Sequence, residues 1–166
     1  TLTKQTFSQK NKTYEIYTDK MTFNDAKDVC FKRGGSLLEI SDEIENNYIT
    51  RRLLFDERYW IGAKRIMHYS SIFLYTNGKN MKYINWPATE PKPSETSNCV
   101  NIMNGKMYVD NCNESLKFIC EYTNHSTDSS GDVILEDVIK QNIGLHKKLK
   151  DNELKTSIIW KIIGIR

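Results

Sequence analysis

Four cysteines are the residues of this sequence with the most open chemistry. Cys30, Cys99, Cys112 and Cys120 can form a zinc site, a redox pair or two disulfides. Their separations of 69, 13 and 8 residues contain no C-x-x-C pair. The main support for a zinc ribbon or a thioredoxin-like site is therefore missing. Two disulfides are the favoured interpretation.

A turn between two of the cysteines suggests how they pair. Asn104-Gly105 is a strong signal for a two-residue β-hairpin turn, with strand-like runs on both sides of it. Folding about this turn brings Cys99 and Cys112 close together on opposite strands. We therefore predict two disulfides, Cys99–Cys112 and Cys30–Cys120.

Three Asn-x-Ser/Thr triplets, which begin at Asn11, Asn113 and Asn124, fit passage through a secretory pathway. Together with the even number of cysteines they predict a secreted, extracellular glycoprotein. The sequence starts without a methionine or a signal peptide, which we interpret as a mature or trimmed chain.

Other classes of protein find little support. The histidines His68, His125 and His146 lie far apart, and no metalloprotease or serine-hydrolase motif accompanies them. With every cysteine bonded no thiolate nucleophile remains, so we predict no enzymatic activity. A net charge of only +3 argues against nucleic acid as a partner. The longest apolar run, residues 157–165, is about half the ~20 residues of a membrane span.

The elements that position these residues form an α+β pattern, with two helices early and strands late. Thr22 and Asp25 predict the start of the first helix. Ser41 predicts the start of the second, whose inward residues would be Ile44, Tyr48 and Ile49. Besides the two strand-like runs around Asn104-Gly105, strands are predicted in five segments, with 12–17 at the edge of the sheet. They are residues 12–17, 37–40, 72–75, 83–86 and 117–121.

Two loop features complete the pattern. Asn77-Gly78 predicts a second hairpin, between strands 72–75 and 83–86. Residues 87–98 are polar and contain all three prolines of the chain. A loop of that length inside a compact domain is usually functional.

Five short segments and the last three cysteines follow one another in an order that is specific as a series. The segments are residues 22–30, 36–43, 60–62, 85–86 and 90–91. Through them, residues 14–122 resemble the C-type lectin-like domain, most closely its short, two-disulfide secreted forms that are common in invertebrates. The resemblance implies two helices flanking a small antiparallel sheet, the disulfide pairing given above and a long loop for recognition.

In this family a Ca²⁺ ion is held by a loop triplet such as Glu-Pro-Asn and by acids near the last cysteines, and it binds the sugar. Here the resemblance implies two metal ligands, Glu90 and Asp110, with Glu95 as a displaced third. Lys92 stands where the triplet needs a carbonyl oxygen, and Ser97 and Val109 replace further ligands. With two of five ligands retained, a strong Ca²⁺ site is not expected.

Three interpretations of Lys92 stay open. The site is lost and Lys92 is solvated; or its ammonium replaces the metal by pairing with Glu90 and Asp110; or a weak or shifted Ca²⁺ site persists. The candidate ligand contacts are Glu90, Lys92, Glu95, Tyr108 and Asp110.

Three other groups of residues have two interpretations each. Trp60 and Trp86 are assigned to the core rather than to sugar stacking. Met107 and Tyr108 are assigned to the strand surface, where they are also candidates for ligand contact. Five basic residues form either a solvated helix end and loop or a patch for sulfated or sialylated glycans. They are Arg51, Arg52, Arg58, Lys64 and Arg65.

The chain divides into a domain at residues 1–122 and a polar linker with a basic amphipathic tail at 123–166. Residues 140–166 carry a net charge of +5. The tail is predicted to be an extra helix packed on the domain or on a second copy of the chain, which would then be an oligomer. A segment lying on a membrane surface and a disordered segment are the alternatives.

The sequence thus predicts a secreted recognition module. Glycan binding, with a role in innate recognition, is what the resemblance implies. The alternative is a calcium-independent module that binds a protein partner through the same loop face.

Overall fold

The computed structural model describes residues 2–123, and the predicted linker and tail lie outside them from Asn124 onward. Within these residues, two helices and eight strands form an α+β fold, as predicted. The helices are α1 (Phe23–Lys32) and α2 (Glu43–Thr50). The strands are β1 (Lys4–Gln9), β2 (Lys12–Met21), β3 (Ser36–Leu37), β4 (Tyr59–Arg65), β5 (Phe73–Tyr75), β6 (Ser97–Met103), β7 (Lys106–Asn111) and β8 (Leu116–Thr123).

The strands form one mixed sheet in the order β1-β2-β8-β4-β6-β7, with β3 beside β8 and β5 beside β4. The neighbours β4 and β8 are parallel, whereas every other pair is antiparallel. The prediction of an edge strand at residues 12–17 is wrong, because β1 lies outside β2. The sequence did not reveal β1, which has Phe7 as its single apolar residue.

Both helices begin with a side-chain cap. Thr22 Oγ1 accepts a hydrogen bond from the Asp25 amide at 3.3 Å, as predicted. At α2 the prediction is wrong by one residue, because Asp42 rather than Ser41 accepts from the Glu45 amide, at 2.7 Å. The buried face of α2 consists of Glu45, Asn46 and Ile49, and Ile44 is 66% exposed rather than inward.

The two predicted hairpins have different outcomes. Asn104 and Gly105 both have positive φ, 49° and 76°, and they join β6 to β7 as predicted. The chain also turns at Gly78 (φ 82°), but β5 pairs with β4 and residues 83–86 form no strand. Across that turn the pairing is limited to the bridge of Leu74 with Asn80 and a hydrogen bond from the Tyr75 amide to the Lys79 carbonyl oxygen at 2.9 Å. A turn signal alone did not show which strand lies beside β5.

The core lies on both faces of the sheet. Adjacent residues of one strand, such as Ile16 and Tyr17 of β2, belong to different buried clusters because side chains alternate along a strand. Trp60 is fully buried and Trp86 packs against the core, as predicted. Neither helix within residues 2–123 is long and apolar enough to cross a membrane.

The two predicted disulfides are both present. Cys30–Cys120 joins α1 to β8, and Cys99–Cys112 joins the start of β6 to the end of the β6–β7 hairpin. The first one closes most of the domain into a single loop, and the second fixes the strands that follow the long loop.

Candidate functional site

Two connections between strands form the surface that we call the long-loop face. They are the β4–β5 loop (residues 66–72) and the long loop (residues 87–96). The amide of Tyr69 donates to the carbonyl oxygen of Ser94 at 3.1 Å, which joins the two loops directly. Because β4 and β6 are neighbours in the sheet, both loops leave it side by side.

Within the long loop, the Glu90 carboxylate contacts the backbone of Lys92 and not its ammonium. The Glu90–Pro91 peptide bond is cis. The Glu90 carboxylate accepts from the backbone amide of Lys92 at 3.0 Å. The Lys92 side chain is exposed, and none of the ion pairs within residues 2–123 involves it. The structure therefore contradicts the interpretation that the Lys92 ammonium pairs with Glu90 and Asp110.

Asp110, the other predicted metal ligand, belongs to a separate group on the β6–β7 hairpin. Its Oδ2 accepts from Arg58 Nη1 at 2.5 Å and from Asn101 Nδ2 at 2.8 Å. The Arg58 guanidinium also lies 5.7 Å from the centre of the Tyr108 ring. Tyr108 is half-buried, whereas the prediction that Met107 lies on the surface is wrong, because it is fully buried.

The residue that joins the long-loop face to the sheet is Arg65, which is only 4% exposed. Its Nη1 donates to the carbonyl oxygen of Ser70, and its Nη2 donates to that of Lys92 at 2.6 Å. Its guanidinium lies 4.7 Å from the centre of the Phe73 ring. Burial lowers the pKa of Arg65, and the negative charge of Glu90 opposes that change.

The five predicted basic residues do not form one solvated patch. Arg65 is buried, and Arg58 is paired with Asp110. Arg52 stacks on the Tyr48 ring at 3.7 Å and donates to the Tyr48 carbonyl oxygen at 2.6 Å. Arg51 and Lys64 are exposed.

The residues do not fit the calcium ion that the resemblance implies. Ca²⁺ takes roughly six to eight oxygen ligands, several of them carboxylates. Asp110 Oδ2 accepts from Arg58 and Asn101, and Glu90 Oε2 accepts from a backbone amide, so each acid already has one oxygen engaged by a different group. Within residues 2–123 no three His, Cys, Asp or Glu side chains come together as a metal site would require. Glu95 is exposed on the long loop and completes no such group.

A second cluster of charges, which the sequence analysis missed, lies where β2, β8 and α2 meet. Lys12 Nζ donates to Glu45 Oε1 at 2.9 Å, to Glu121 Oε2 at 3.1 Å and to the Glu39 carbonyl oxygen at 3.1 Å. Tyr14 donates to Glu45 Oε1 at 2.6 Å. We call Lys12, Tyr14, Glu45 and Glu121 the Lys12 cluster. The only sign of this cluster in the sequence is that Lys12 and Glu121 are charged residues within predicted strands. Their pairing could not be predicted because they lie far apart in the chain.

The Lys12 cluster shifts the pKa values of its members in different directions. Burial alone would raise the pKa of Glu45, but hydrogen bonds from Tyr14, the Ser41 amide and Lys12 hold it below its usual value. Burial raises the pKa of Glu121 more than Lys12 lowers it. Burial would lower the pKa of Lys12, but Glu121 and Glu45 together raise it.

Comparison with known proteins defines the class. The family described as Lectin C-type domain matches residues 19–122. The chain belongs to the C-type lectin domain family, which confirms the resemblance that the sequence motifs indicated.

Individual relatives agree with this membership. The chain is 30% identical over 108 residues to human C-type lectin domain family 3 member A, a match that covers 61% of this chain and 54% of that one. It is 29% identical over 113 residues to bovine pulmonary surfactant-associated protein D, covering 67% and 31% of the two chains. The chain therefore spans about half or less of the length of these relatives.

A solved structure gives the same fold. The mouse scavenger receptor C-type lectin carbohydrate-recognition domain superposes with a TM-score of 0.66 at 25% identity, covering 72% of this chain and 96% of that chain. The match extends over almost the whole of that domain. The described part of this chain is therefore built like a complete domain of the family.

Proposed function

We propose that this domain is a non-catalytic, extracellular recognition module that binds its ligand through the long-loop face without calcium. One observation carries the proposal. Glu90 and Asp110, the two metal ligands that the resemblance implies, are held by different partners. Asp110 is held by Arg58 and Asn101, whereas Glu90 is held by the backbone of the long loop. The two acids thus belong to different groups of contacts, and within residues 2–123 no third His, Cys, Asp or Glu joins them to complete a metal site.

Two kinds of residue support an extracellular location. Both disulfides, Cys30–Cys120 and Cys99–Cys112, are of the type that persists in oxidising compartments. The acceptor residues Asn11 and Asn113 are exposed, so an attached glycan would meet no packed side chains. The non-catalytic role is supported by the family to which the chain belongs.

A glycan is the first candidate ligand, because the family and the relatives are lectins. The long-loop face offers groups suited to a sugar. The Tyr69 ring is 61% exposed, and Lys92 and Glu95 present a charged donor and an acceptor nearby on the joined loops. Tyr108 and Asp110, on the β6–β7 hairpin, form a second set of proposed contacts.

A protein partner is the second candidate, and a specific observation favours it. Ile66, Met67 and Ile72 of the β4–β5 loop are 43%, 66% and 57% exposed. Apolar side chains grouped in one short surface loop are typical of protein–protein contacts. They lie in the same loop as Tyr69, so both candidates use one face.

A glycan array in millimolar calcium and again in a chelator tests the proposal. We expect the same sugars to bind in both conditions, with Tyr69→Ala weakening binding about tenfold, a typical loss for a buried aromatic contact. Phe55→Ala is the matched control, because Phe55 is an exposed aromatic (81%) in the α2–β4 connection and not on the long-loop face.

Sugar binding that disappears in the chelator would overturn the calcium-independent proposal. Absence of sugar binding in both conditions would reject the glycan candidate. The protein candidate then predicts that Met67→Glu abolishes crosslinking to an extracellular protein, whereas Phe55→Glu leaves it unchanged.

A further inference from the structure

Arg65 connects the two loops of the long-loop face through their backbones. It is the last residue of β4, so its Cα is fixed by the sheet. Its guanidinium donates to the carbonyl oxygen of Ser70 in the β4–β5 loop and to that of Lys92 in the long loop. A planar guanidinium can reach two acceptors at once, which a single ammonium point charge does less well.

The positive charge of Arg65 contacts carbonyl oxygens of these loops and forms no ion pair within residues 2–123. None of the ion pairs within residues 2–123 includes Arg65. Its charge is stabilised by the two carbonyl dipoles, by the face of the Phe73 ring at 4.7 Å and by the field of Glu90. A buried guanidinium needs such partners, so both loops are tied to its position.

Neighbouring contacts extend the connection. The Phe73 ring lies 5.2 Å from that of Trp86, the residue just before the long loop. Tyr69 donates to Ser94 at the far end of the long loop. Arg65 therefore lies among contacts that reach the beginning, the middle and the end of the long loop.

We propose that Arg65 is a positioning residue that orders the long-loop face from within the chain, as an internal cation for the loop carbonyl oxygens. The inference rests on the proposed function, because it gives the reason why binding at this face needs no metal ion. An ion pair of the Lys92 ammonium was one of the open interpretations of the sequence. In this arrangement Lys92 contributes its backbone carbonyl oxygen instead, and the buried cation is Arg65.

Amide hydrogen exchange of the intact chain, with residue-level resolution, tests the inference without using a ligand. We expect Arg65→Met to speed exchange of the Tyr69 amide and of the amides of residues 87–96 by about tenfold or more, while β2 and β8 keep their protection. Arg65→Lys, which keeps the charge but has one donor centre, should restore part of that protection. Lys64→Met is the matched control, because it removes one charge from the adjacent, exposed position.

Two results would overturn the inference. One is unchanged exchange of the Tyr69 amide in Arg65→Met, or an equal acceleration in β2 and β8, which would indicate a general loss of stability. The other, decisive if Arg65→Met does not fold, is exchange in Arg65→Lys identical to that of the unmodified chain. Because no ligand enters this measurement, its failure is distinguishable from a failure of the glycan-array experiment.

Discussion

Two cations, the half-buried Lys12 and the buried Arg65, hold this domain together in different ways. The Lys12 ammonium contacts two carboxylates and one carbonyl oxygen and links β2, β8 and α2 through side chains. The Arg65 guanidinium contacts two carbonyl oxygens and links two loops through their backbones. The first arrangement fixes elements of regular structure, and the second fixes loops that a sheet alone cannot order. We therefore expect the Lys12 side of the domain to govern stability and the Arg65 side to govern recognition.

The disulfides give the largest expected effects, and they sharpen this comparison. Cys30–Cys120 spans 90 residues and joins α1 to β8, the strand that carries Glu121 of the Lys12 cluster, whereas Cys99–Cys112 spans 13. In the chain-entropy model, replacing the first pair with alanine costs about 4.5 kcal/mol and replacing the second about 3 kcal/mol. Urea denaturation of the two double variants measures the difference. Equal losses, or a larger loss for Cys99–Cys112, would contradict this ranking.

The next effect comes from the Lys12 cluster itself. Lys12→Met leaves the buried carboxylates of Glu45 and Glu121 without their cation, and we expect the free energy of unfolding to fall by about 2–3 kcal/mol. Lys79→Met is the control, because Lys79 is 71% exposed and 3.9 Å from Glu39; its loss should stay below about 0.5 kcal/mol.

Urea denaturation of both lysine variants provides the measurement. If Lys12→Met costs no more than Lys79→Met, the Lys12 cluster contributes little to stability and the contrast with Arg65 disappears.

A smaller effect concerns pH, because the two carboxylates of the cluster have opposite shifts. The pKa of Glu45 lies below its ordinary value of 4.5, so its contribution to stability is present above pH 4.5 and is lost as pH falls through the lower, folded pKa. The pKa of Glu121 lies above 4.5, so it costs stability at neutral pH, and that cost is relieved as pH falls through the raised pKa.

Melting temperatures between pH 7 and pH 3 separate the two carboxylates. Glu121→Gln should remove a gain that the unmodified domain shows as pH approaches 4.5 from above, and Glu45→Gln should remove a loss below 4.5. Parallel curves for all three proteins would show that neither shift contributes.

Local signals predicted the parts of the fold that local chemistry decides. The pair Asn104-Gly105 predicted the β6–β7 hairpin because both residues tolerate positive φ. Thr22 predicted the start of α1 because its hydroxyl can cap the amide of Asp25, three residues later in the chain. The strand β1 escaped prediction because it is mostly polar and pairs only with β2. Residues 4–9 are a strand because they pair with β2, and not because of an alternation of apolar residues in their own sequence.

The candidate site was predictable in its location but not in its contacts. Three prolines predicted a functional loop, and the resemblance pointed to Glu90 and Asp110. The partners that occupy those acids, Arg58 for Asp110 and the Lys92 amide for Glu90, depend on how distant segments meet. Arg65 was grouped with four other basic residues, as a solvated helix end and loop or as a glycan patch, although the fold buries it beneath two loops.

The central claim is that the long-loop face is ordered without calcium. The most direct test compares amide exchange of residues 66–72 and 87–96 in millimolar calcium and in a chelator, at fixed ionic strength. We predict exchange rates equal within about twofold and a melting temperature that changes by less than about 2 °C. Exchange that slows, and a melting temperature that rises, in proportion to added calcium would contradict the account, because a ligand that binds only the native state must stabilise it.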